Sequence, residues 1–219
     1  MKKILTVLVL ICVTAFSGCS LKKEYDLCGK DKIESLRSEA GSWESGRYLL
    51  TNLDTGEMNQ AFSFMNNEDG SQSYLYEVVN EGSYYAEYSG GDDMYILDGG
   101  EVYVIKEGGE GYAKYSESDP HPYSTGELLF YVNQFVSSSA ENTGSDGAVT
   151  YTYYYNTDKI NEALNTTLTE FYTAYTFDSE GNFVNFIQHN TAAESSYSYM
   201  IEIIDVNAIT EIENPAVNN

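Results

Sequence analysis

The residues of this chain that could carry covalent or metal chemistry are few: Cys12, Cys19 and Cys28, with His121 and His189. The two histidines are far apart, and neither has a second His, Cys or carboxylate at ligand spacing, so each reads as a surface or turn residue. No Gly-x-Ser-x-Gly elbow, His-Glu-x-x-His helix or Gly-Lys-Ser/Thr phosphate loop occurs. Ser20-Leu21-Lys22-Lys23 has the letters of Ser-x-x-Lys, but it lies in a short polar stretch with no pocket to shift a lysine. The stretch 66–70 starts like a calcium loop and lacks both the spaced carboxylates and the late Glu, so it reads as a turn. No catalytic residue, metal ligand or cofactor site is assigned, and no enzymatic activity is expected. Cys19 has the most informative setting, directly after Ser17-Gly18 and an apolar run, 4–16, that follows Lys2-Lys3.

A short apolar run behind a positive tip reads as an export signal, since about 20 apolar residues are needed to span a bilayer. Residues 1–18 resemble a bacterial lipoprotein signal peptide, in which the cysteine after two small residues is acylated and becomes the new first residue. Phe16 stands where Leu is usual. The resemblance implies lipidation of Cys19 and an anchor in the cell membrane at its extracytoplasmic face. Ser20 is compatible with sorting to an outer membrane where a cell has one. The competing reading is an ordinary secretory leader cut near Ala15 or Gly18. The expected division is 1–18 signal peptide, 19–29 lipidated tether and 30–219 one folded domain. Cys28 then has no disulfide partner and reads as an inert thiol in the tether.

Removing residues 1–18 takes Lys2 and Lys3 with it and leaves nine basic against 34 acidic residues, a formal charge of −25. Such a surface repels phosphates, which excludes nucleic acid as a partner. Lys22, Lys23, Lys30, Lys32, Arg37 and Arg47 hold most of the basic charge, so the membrane-proximal end is basic and the body acidic.

The elements needed to position anything are mainly strands. Asp31 can cap a short helix through Ala40, with Ile33 and Leu36 on one face, Gly41 as its stop and Trp43 as a core anchor. Short β-rich runs follow at 47–53, 60–65, 73–79, 83–88, 94–97 and 102–105, separated by Asp/Asn-Gly turns that favour hairpins. Leu128, Leu129, Val132, Phe135 and Val136 fall at helical spacing and predict a helix over 125–138. A polar loop is expected at 142–147, then a strand at 149–155. Asp158 can cap a second helix through Leu168, with Ile160, Ala163, Leu164 and Leu168 inward, and strands follow at 171–177, 183–188 and 197–206. The expected fold class is α+β: a single strongly curved antiparallel sheet, a half-barrel of about 9–11 strands, with helices covering the concave face.

The strand at 151–155 feeding the helix at 158–161, then Tyr175-Thr176-Phe177-Asp178 and the Gly181 turn, resembles the half-barrel lipoprotein carriers of the LolA/LolB-like and LppX/LprG-like families. The layout of the mature chain is similar too. The resemblance implies a non-catalytic protein that binds or carries a hydrophobic, acyl-chain or lipid-like ligand, with Leu128, Val132, Phe135, Val136, Ile160 and Leu164 as candidate cavity-lining residues. An envelope protein is a second partner class it would fit. Independently, the strands near 94–97 and 183–187 are apolar on both faces, so either lid helices or a ligand must cover the second face. Helices packed tightly with no cavity are the alternative. Twenty-one tyrosines also suit a platform for sugar rings, which leaves a cell-surface glycan- or protein-binding lipoprotein as the second functional reading.

Overall fold

The computed structural model describes residues 27–80, 82–90, 94–104, 129, 133–193 and 195–215. They form α1 (Lys30–Ala40), β1 (Ser45–Asn52), β2 (Glu57–Asn66), β3 (Gln72–Asn80), β4 (Ser83–Ser89), β5 (Met94–Asp98) and β6 (Glu101–Val104). After a 3-10 turn (Asn133–Phe135) come β7 (Val136–Thr143), β8 (Val149–Tyr155), α2 (Thr157–Leu164), β9 (Leu168–Phe177), β10 (Phe183–Ala192) and β11 (Ser195–Ile204). All eleven strands join one open antiparallel sheet in the order β6-β5-β4-β3-β2-β1-β11-β10-β9-β8-β7. One meander runs outward from β1 to the β6 edge, another inward from the β7 edge to β11, and pairing of β1 with β11 fuses them. The molecule is an α+β half-barrel, at the upper end of the expected strand number.

Alternation along the strands sends most of the large aromatics to one face, and the registers align them in rows. One row crosses every strand: Glu141, Tyr151, Tyr175, Phe186, Ile201, Leu50, Gln60, Val78, Tyr85, Asp98, Glu101. Its centre is apolar and its two ends are acidic. This inner face carries the main core, which joins Tyr48, Phe62, Phe64, Tyr74, Tyr153, Tyr175, Phe177 and Phe186 of the sheet to Ile33, Leu36 and Ala40 of α1 and to Trp43. Gly46 lets the core close over β1, because a Cβ there would meet the Phe64 ring at 3.1 Å.

Helix α1 lies across the strands. At its start the Cys28 amide donates to Ser139 of β7 and the Tyr153 hydroxyl of β8 donates to the Cys28 carbonyl; at its far end the Asn66 side chain of β2 donates to the Trp43 carbonyl. Lys32 sits 4.3 Å from the centre of the Phe177 ring, a cation held over an aromatic face.

On the outer face, Ala61, Ala86 and Leu97 are buried, as is Ile212 of the segment that follows β11. That segment is pinned at Ser45, whose carbonyl accepts from Asn207 N and whose hydroxyl accepts from Ile209 N. On β5 both Ile96 and Leu97 are buried, so both faces of that apolar strand are covered, as its pattern requires.

Several expectations are corrected. The helix over 125–138 does not reach its predicted end: 133–135 is a 3-10 turn and 136–143 is the edge strand β7, which the sequence reading missed and partly assigned to a loop. Pairing of Val136 with Tyr155 overrides a helical spacing that Phe135 and Val136 satisfy by coincidence. Leu129 is fully buried in the core, while the rest of 125–132 lies outside the described residues, as does Ile105.

Asp31 is inside α1 rather than its cap; Gly29, with φ +65°, turns the chain into the helix, and Asp31 instead complements the helix dipole in the first turn. Asn156, not Asp158, caps α2 by accepting from Lys159 N at 3.0 Å. Helix α2 ends at Leu164, because Asn165 takes a left-handed turn and the Asn161 side chain bonds both the N–H and the carbonyl of Leu168, which starts β9. Ala163 is exposed rather than inward. Leu27 is buried and Cys28 and Gly29 pack on the sheet, so 27–29, assigned to the tether, belong to the folded unit.

Candidate functional site

The inner face is the part of the molecule with the most to offer a ligand. Beside the long row, a second runs from β11 to β6 as Ile203, Tyr48, Phe62, Tyr76, Glu87, Ile96 and Tyr103. Tyr48, Phe62, Phe64 and Tyr74 form a chain of rings with centroids 6.0 to 6.1 Å apart. The chain of rings continues on the other half through Tyr153, Tyr175 and Phe186, and through Tyr155 and Phe171. Leu50, Tyr76 and Ile203 are only partly buried against this core, and Tyr197 and Tyr199 stack on each other at the open end of the same face.

Tyrosine is concentrated here because a phenol presents an apolar ring to its neighbours and keeps a polar tip for a specific partner. Tyr155 and the buried Thr173 share a hydrogen bond at 3.1 Å. Among the described residues, one acid of this face is buried. The Glu87 carboxylate is 1% exposed, accepts from the Tyr74 hydroxyl at 2.6 Å, and lies 3.5 Å from the Tyr85 hydroxyl. Tyr76 stands directly opposite Glu87 across the β3–β4 pair; burial and then the Glu87 charge push its phenol up to about 12.

The predicted lining residues divide. Phe135, Val136 and Ile160 come together in one corner, where α2 packs on β9 and on the 3-10 turn and Val136 pairs with Tyr155. Val136 is nearly and Ile160 fully buried. Leu164 is the last residue of α2, and its side chain, like Leu128, Val132 and the lipidation candidate Cys19, lies outside what is described. His189 is placed on the outer face, where its ring nitrogens meet Ser198 and Thr191 hydroxyls and its ring stacks on Tyr172 at 4.7 Å. Tyr154 extends that stack to three aromatic side chains. Among the described residues, no three His, Cys, Asp or Glu gather as a metal site, and no helix is long and apolar enough to cross a membrane.

Glu87 was not singled out from the sequence. Alternation in Tyr84-Tyr85-Ala86-Glu87-Tyr88 does place it on the face of Tyr85, but only the register shows that this face is the inner one and that Tyr74 and Tyr76 converge there.

No family model matches the chain, and no curated protein sequence matches it. Among solved structures, the fold is similar to that of the Mycobacterium tuberculosis lipoprotein LppX, with a TM-score of 0.47 and 6% sequence identity over 84% of this chain and 97% of that one.

Proposed function

We propose that this protein is an extracytoplasmic lipoprotein, anchored through Cys19, that binds a hydrophobic ligand on the inner face of its half-barrel without catalysing a reaction on it. The observation that carries the reading is the partial exposure of Leu50, Tyr76 and Ile203 on an otherwise buried aromatic face. Leu50, Tyr76 and Ile203 remain partly exposed at the middle of the face, where an acyl chain would find apolar contact on every side.

The test uses the mature chain with Cys19→Ser, which removes the anchor. A fluorescent fatty acid should bind saturably and be displaced by unlabelled acyl chains. Leu50→Gln should weaken it about ten-fold with little change in melting temperature, since a contacting leucine contributes about 1.5–3 kcal/mol when fully buried. Absence of saturable binding would sink the reading. A second reading, adhesion to glycan at the cell surface, draws on the outer-face stack of Tyr154, Tyr172 and His189; it would be favoured by polysaccharide binding that Tyr154→Ala abolishes.

A further inference from the structure

Chain length limits which side of the molecule can meet a bilayer. Cys28 is fixed to the β7–β8 edge: its amide donates to Ser139, its carbonyl accepts from the Tyr153 hydroxyl, and Gly29 lies against the Tyr151 ring. Cys19 is nine residues upstream, a span of about 32 Å at full extension. An acyl anchor on Cys19 therefore holds this edge close to the membrane. The same limit does not bind β6, which ends the sheet on its other side, ten strand spacings away, or about 48 Å along the surface.

The two edges also differ in chemistry. Strands β7 and β8 carry one charge in fifteen residues, Glu141, whereas β5 and β6 carry Asp98 and Glu101 in nine, directly opposite each other. Lys30 and Lys32 follow Gly29 in the first turn of α1, over β8 and β9, and match the formal charges of Asp31 and Glu141. Six of the eight residues of β7 are exposed, and among the described residues the strand is paired on one side only. The outward backbone groups of such an edge need polar partners, which water and lipid head groups supply and hydrocarbon does not. Beside it on β8, Tyr154 is 42% exposed, and a tyrosine suits the boundary between lipid and water because its ring is apolar and its tip is polar.

Resting on the Cys19 anchor proposed above, we infer that the β7–β8 edge is the surface this protein lays on the head-group layer of its membrane, with Tyr154 at the lipid boundary and the β6 edge turned away. The contact is shallow, because an open strand edge cannot enter hydrocarbon.

The test uses the full chain, expressed with residues 1–18 so that Cys19 is acylated, on vesicles of phosphatidylcholine with one quarter phosphatidylglycerol and a nitroxide on some head groups. A fluorophore is attached through Ser138→Cys or through Val102→Cys, positions exposed at the two opposite edges. Both variants also carry Cys28→Ser, which keeps the two backbone bonds of residue 28. Quenching at position 138 should be at least three-fold stronger than at position 102, and the exposed Ala140→Cys should repeat the result if Ser138→Cys does not fold. Equal quenching at the two edges, or stronger quenching at position 102, in protein that floats with the vesicles would overturn the docking surface and leave the anchor standing. Protein that stays behind when the vesicles are floated would overturn the anchor and the docking surface together.

Discussion

Tyr76 shows how much the inner face departs from water. Burial and the neighbouring Glu87 charge hold its phenol neutral up to about pH 12, against an ordinary value near 10. In the unfolded chain the same phenol ionises near pH 10, so between about 10 and 12 the unfolded state has lost a proton that the folded state keeps. Stability contributed by Tyr76 is therefore fully present below pH 10 and falls as pH rises toward 12, by roughly 2–3 kcal/mol at most. Denaturant melts at pH 9, 10 and 11 should show this decline, and Tyr76→Phe should make it shallower, with Tyr84, also pushed up to about 12, carrying part of the remainder. A decline of the same steepness in the variant would place the effect elsewhere. At this scale the sequence was legible where a residue acts alone: Trp43, Ile33 and Leu36 are core residues, as their spacing predicts. It was silent where a buried polar cluster comes from convergence, since Tyr74, Tyr76 and Glu87 meet only through the β3–β4 register.

The start of α1 explains why part of the presumed tether is folded. Gly29 adopts φ +65°, and a Cβ there would lie 2.6 Å from the Tyr151 ring. Gly29→Ala should therefore cost about 2–4 kcal/mol, combining a left-handed alanine with an overpacked contact. Asn156→Ala, which removes only the cap of α2, should cost about 1 kcal/mol. Thermal or chemical melts of the two variants should rank them in that order; an inconsequential Gly29→Ala would detach residues 27–29 from the domain. The strands of both meanders were readable from alternation and turn residues, because hairpin chemistry is local. Edge strand β7 was not, because Val136-Ser137-Ser138-Ser139 has no strong alternation and its conformation is imposed by pairing with β8. The capping residues were misassigned by two positions at both helices because Asp31 and Asp158 suit the first turn as well as the cap.

At the scale of the whole molecule, one long sheet makes two unlike surfaces. The inner face gathers the rings of both meanders and one buried acid, while the outer face is closed in part by the segment pinned at Ser45 and elsewhere carries small and hydroxyl-bearing side chains between its tyrosines. The strongly acidic composition repels the phosphates of nucleic acid. An open half-barrel with an aromatic interior has a direct structural consequence: an apolar chain should lie against the inner face and nowhere else in an ordered position. The decisive measurement is a crystal structure of the mature chain with Cys19→Ser grown with a bromine-tagged acyl chain, with the bromine located by anomalous scattering. The account predicts bromine density over the inner face beside Leu50, Tyr76 and Ile203. Bromine found only on the outer face, or no ordered bromine in a protein that binds the tagged chain in solution, would contradict it.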